Sequence, residues 1–138
     1  MSLSWIVHMP ECLREHVPSD LELRKISRCF KGDFNVQKRV FLVLGFLDGH
    51  IHRFSRECSL QSEVILRVLF AWKYETYGKS VHTPVNLHDL CLSIRHVYPT
   101  FDDTFDWLGM MNIVGSILLQ KIAEKSVHLR PNECFKSF

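Results

Sequence analysis

The sequence predicts a small α+β domain in which an antiparallel hairpin or sheet packs against three to four helices. Two observations carry that expectation. The stretch "RVFLVLGFLDGHIHRFSREC", Arg39 to Cys58, has the composition of two strands about a tight turn, and several other segments place apolar residues at helical spacing. Size agrees: 138 residues, 46% apolar and 23% charged, is one ordinary globular domain. Without repeats, low-complexity tracts or linkers, the chain divides into an N-terminal segment (1–18), a globular domain (19–129) and a C-terminal tail (130–138).

The first ordered segment begins after Pro18. Ser19 and Glu22 have the spacing of a helix-capping box, and Leu23, Ile26 and Phe30 follow at helical intervals before Lys31 and Gly32 end the run. A short helix is favoured there over a strand. Next comes the hairpin. Val40 to Leu47 is rich in β-formers, Asp48-Gly49 suits a two-residue turn, and Ile51 and Phe54 continue on the return strand. In that register Phe46 faces Ile51 and Val43 faces Phe54.

"SEVILRVLFAWKYETYGKS", Ser62 to Ser80, predicts a helix with two apolar faces. Ile65, Leu69 and Trp72 form one, Leu66, Phe70 and Tyr77 the other, with Glu63 and Arg67 spaced for an ion pair and Gly78 as a stop. The second face needs a cover, either the chain's own last segment or a partner. Asn86 then caps a helix carrying Leu87, Leu90, Cys91, Ile94 and Val97, which ends before Pro99. The last apolar segment has Trp107, Met111, Val114, Leu118 and Ile122 near helical spacing, yet Gly109 and Gly115 each cost a helix interior about 1 kcal/mol. Helix is favoured there, with strand as the alternative.

The formal charge of +2 is too small to imply wholesale binding to nucleic acid or anionic membrane, but charge is unevenly spread. Arg24, Lys25, Arg28, Lys31, Lys38 and Arg39 form a basic stretch, and Asp102, Asp103 and Asp106 an acidic one. Both are candidate electrostatic contacts, and Leu66, Phe70 and Tyr77 are the candidate apolar contact. Five separated cysteines and no apolar leader point to reduced thiols in cytosol or nucleus. The uncharged run from Trp107 to Gln120 is shorter than the roughly twenty residues a membrane-spanning helix needs.

Catalytic, cofactor and metal sites are not expected. His50, His52, Cys58, His88 and Cys91 lack the tight spacing of zinc ligands, and solvated histidines with a buried thiol explain them better. Cys12 and His16 could meet on a helix, without any oxyanion-hole or nucleophile-elbow pattern. "FDDTFDW" reads as a solvated helix start in preference to an acid/base pair.

From the hairpin through "SEVILRVLFAWKYETYG", the order of apolar strand, Asp48-Gly49 turn, return strand and aromatic helix closing at Tyr77-Gly78 resembles the globular domain of rhabdovirus matrix proteins. The likeness covers about forty residues, under a third of the chain. It implies a non-enzymatic α+β assembly protein of a negative-strand RNA virus, found in the virion and at the inner face of the host membrane. Such a protein self-associates as a homo-oligomer and contacts an anionic membrane surface and the viral ribonucleoprotein, with no small-molecule substrate. The chain departs from many members in lacking a proline-rich late-domain motif and a lysine-rich N-terminal tail. The alternative reading is an intracellular interaction module that binds a peptide or partner helix.

Overall fold

The computed structural model describes residues 2–75, 85–101 and 104–137, and side chains as far as residue 125. Its elements are a 3-10 turn at Ser4–Ile6 and the helices α1 (Glu11–Arg14), α2 (Asp20–Ser27), α3 (Phe34–Val43), α4 (Asp48–Glu57), α5 (Gln61–Tyr74), α6 (Leu87–Val97) and α7 (Trp107–Ser137). Helix α5 packs on α2 and α4, α3 on α6, and α1 and α2 on α7. No described helix is long and apolar enough to cross a membrane.

This all-helical arrangement corrects the expected α+β class. Among the described residues there is no strand, and the only β-type pairing is an isolated bridge between Phe30 and Phe105. The expected hairpin is the helix pair α3–α4. Val40, Phe41 and Leu44 are buried while Leu42 and Val43 are exposed, which is the one-sided burial of a helix and not the alternation of a strand. Gly45, with φ of +105°, stops α3: its N–H donates to Leu42 O at 3.1 Å and that of Phe46 to Phe41 O at 3.1 Å. Asp48-Gly49 is not a turn but the first residues of α4. Phe46 meets Phe54, with ring centroids 6.1 Å apart, while Val43 faces outward.

The capped helices agree with their sequence signals. Ser19 Oγ accepts from Glu22 N at 3.1 Å, and Glu22 Oε1 accepts from Ser19 N at 2.8 Å. Asn86 Oδ1 accepts from Asp89 N at 2.8 Å, and Leu87, Leu90, Cys91 and Ile94 are buried below it. In α5, Ile65, Leu69 and Trp72 are buried as expected. Glu63 instead accepts from Ser59 N and Leu60 N at the start of α5, and Arg67 pairs with Glu57 at 3.3 Å and Glu75 at 3.0 Å.

A row of rings crosses the core. Trp5 meets Trp107, Trp107 meets Phe105, Phe105 meets both Phe30 and Tyr98, and Phe30 meets Phe41, all with centroids between 4.7 and 6.2 Å. Trp107 Nε1 donates to Tyr98 O at 3.1 Å, so the buried indole is satisfied where α6 ends and α7 begins. Leu3, Ile6, Met9 and Leu13 are also core residues. Helix α7 runs on through Ser137, into the stretch expected as a tail.

Candidate functional site

The basic stretch divides between two helices. Arg24 and Lys25 are exposed on α2, Arg28 at its C-cap and Lys31 just after it, with the Arg24 guanidinium 5.6 Å from the centre of the Phe70 ring. Lys38 is half-buried and bonded to Asp48 at 2.8 Å, which holds the Asp48 carboxyl below its usual value, while Arg39 is exposed. Of the acidic stretch, Asp106 accepts from Gly109 N at 2.9 Å and so caps α7, and a Cβ at Gly109 would collide with that carboxylate. Asp102, Asp103 and Tyr77 lie outside the described residues.

Basic and acidic stretches, far apart in sequence, meet in the fold. Lys31 N donates to Thr104 O at 3.0 Å and Asp106 N to Cys29 O at 2.8 Å, either side of the Phe30–Phe105 bridge.

Leu66 and Phe70 are half-buried. Helices α2 and α4 supply the cover of α5, with Arg24 lying over Phe70. Lys73, at 3.1 Å, and the Tyr74 hydroxyl both donate to Asp20 Oδ1, tying the end of α5 to the start of α2. Those bonds, the Tyr74 one foremost, lower the Asp20 carboxyl from its usual value. Of the second face of α5, Leu66 and Phe70 are thus partly covered inside the fold.

Uncovered apolar surface lies instead on α7. Its core row is Trp107, Met110, Val114 and Ile117, all buried, so the helix is rotated from the single row expected. Met111, Leu118 and Ile122 belong to a separate flank together with Leu108, Gly115 and Leu119, since steps of three and four residues return to one side of a helix. Leu108 is 54% exposed, Leu119 69% and Ile122 53%, and a Cβ at Gly115 would meet nothing within 4 Å. Sequence reading missed this face because a helix apolar on two sides offers several rows of the same period.

The adjoining flank of α7 is polar. Asn112, Ser116 and Gln120 line a groove of about 500 Å³ whose far wall is His16, Glu22 and Lys25. His16 Nε2 donates to Glu22 Oε1 at 2.8 Å, the oxygen that also caps α2. Burial alone would raise the Glu22 carboxyl, but the hydrogen bonds from His16 and the Ser19 backbone outweigh it and leave it lowered. His16 is thus engaged by Glu22, and its expected candidate partner Cys12 is exposed on α1.

Burial, helped by Asp106, pushes the Cys29 thiol up to about 12, and burial alone does the same for Cys91. His50 and His52 sit on α4 and not on a return strand. Among the described residues no three His, Cys, Asp or Glu side chains are grouped to hold a metal ion. The strand–turn–strand pattern behind the resemblance to matrix proteins folds as α3 and α4. Comparison with known protein families, curated proteins and solved structures finds no match to this chain.

Proposed function

We propose that this chain is a non-enzymatic assembly protein that works by docking a protein partner on the apolar flank of α7. The supporting observation is the apolar flank of α7 from Leu108 to Ile122, edged on its outer side by Asn112, with three of its large side chains more than half exposed. A solvated helix flank is ordinarily polar, and a contiguous apolar one marks a contact surface. Covering Leu108, Leu119 and Ile122 fully would contribute roughly 3–5 kcal/mol from this side alone. Set against an association cost of about 4–15 kcal/mol, that gain supports reversible assembly when the partner adds a surface of its own.

The test is the size of the chain purified under native conditions, by light scattering, beside the Leu119→Glu, Ile122→Glu double variant. The native chain should run in a complex larger than its 16.2 kDa mass, whether with its own copies or with another protein. The variant should run at the monomer mass with an unchanged helical circular-dichroism spectrum. Equal sizes for the two proteins would refute the docking role.

A further inference from the structure

We infer that the occupant of this flank is a second copy of the chain, its α7 crossing in the opposite direction at Gly115. The inference rests on the docking role proposed above and names the partner. Its basis is the symmetry of the exposed row. Met111 and Leu119 stand four residues to either side of Gly115, and Leu108 and Ile122 seven. A two-fold axis through Gly115 sets Leu108 against Ile122 of the second copy and Met111 against Leu119 of the second copy. An interface between identical copies about such an axis must complement itself; the pairs at four and seven residues do so, and the pair at three residues sets Leu118 against Asn112 at the edge of the contact.

Charge and space agree with that partner. From Trp107 to Gln120 the chain carries no charged residue, so the face meets its own copy without like-charge repulsion and offers nothing to select an acidic or basic partner. At the crossing point stands Gly115, with open space where a Cβ would be. Two helix backbones approach to about 8–10 Å, and small residues at the crossing favour the near end of that range. The row is about 21 Å long on a helix about 10 Å wide. A footprint of that size belongs below about 1,200 Å² in total, the range of weak and transient contacts, so the dimer should dissociate at high dilution.

Orientation is read by cysteine cross-linking in the full chain, with Cys12, Cys58 and Cys134 replaced by serine. After mild oxidation, a mixture of Leu108→Cys and Ile122→Cys proteins should give a covalent dimer carrying one of each, at least about tenfold more than either protein gives with itself. Gly115→Leu, which fills the crossing point, should weaken self-association at least about tenfold while leaving the helical spectrum and the tryptophan emission unchanged. Cross-linking of Leu108→Cys chiefly to itself means parallel helices and overturns the inference. A native complex that contains a different protein overturns the second copy and leaves the docking role standing, whereas a purified chain that stays monomeric to about 1 mM overturns both. A dimer that survives Leu119→Glu, Ile122→Glu overturns both.

Discussion

Glu22 carries more of the fold than its place on the first turn of a short helix suggests. One carboxylate oxygen accepts from Ser19 N and from His16 Nε2, each at 2.8 Å, in a half-buried setting beside α7. Hydrogen bonds to a charged group contribute about 1.5–3 kcal/mol each when one partner is lost, less where water can replace it. Glu22→Gln keeps an oxygen for the Ser19 N–H and loses the charge, so the expected loss is about 1–2 kcal/mol at neutral pH. For a chain of this size that is a fall in Tm of roughly 4–8 °C. The pH dependence follows from the lowered Glu22 carboxyl. A carboxylate depressed in the folded state contributes stability that is present above the unfolded value, about 4.3, and disappears as pH falls through the folded one. Thermal unfolding followed by circular dichroism should therefore show the gap between native chain and variant present above the unfolded value and closing as pH falls below it. A gap that is absent at neutral pH, or undiminished in acid, would refute the reasoning.

Two other outcomes are expected. In the folded chain a thiol reagent should modify exposed Cys12 at once and Cys29 and Cys91 only on unfolding, because burial holds both thiols protonated; mass spectrometry of the labelled peptides checks the order, and early labelling of Cys91 would contradict it. Gly45→Ala places a Cβ at φ of +105° and should destabilise the chain by about 1–3 kcal/mol in urea unfolding, whereas Gly49→Ala, in open space on the first turn of α4, should cost nothing or stabilise it.

Helices α2 and α6 were legible because polar caps stand directly before amphipathic rows, Ser19 with Glu22 and Asn86 with Asp89. Those signals are local, and nothing in the fold opposes them. The α3–α4 pair was not legible for the converse reason. Val40 to Leu47 is dense in residues that suit a strand, and Asp48-Gly49 is a common hairpin turn, so local preference pointed one way and burial of Val40, Phe41, Leu44, Ile51 and Phe54 against other helices decided the other. The deciding residue was Gly45, whose left-handed conformation ends α3 three residues before the expected turn.

The electrostatic candidates were legible as composition only. That Lys31 and Asp106 flank one bridge, or that His16 reaches Glu22 across Pro18, depends on contacts that spacing along the chain does not encode. The apolar flank of α7 was partly visible: Met111, Leu118 and Ile122 were seen as one row with Trp107 and Val114, and the symmetry about Gly115 was the signal that could have separated the two faces.

The bridge between Phe30 and Phe105 also bears on how the chain reaches this state. The two residues stand about seventy-five apart in sequence, and closing a loop of that length costs roughly 4 kcal/mol in chain entropy before any contact is gained. The contacts that repay it are the rings gathered on Phe105, which supplies partners to Phe30, Tyr98 and Trp107 together. Synthesis delivers Phe105 after six of the seven described helices, so the seam between α2 and α7 is completed late, by a segment whose arrival seals aromatic surface that the earlier helices leave open.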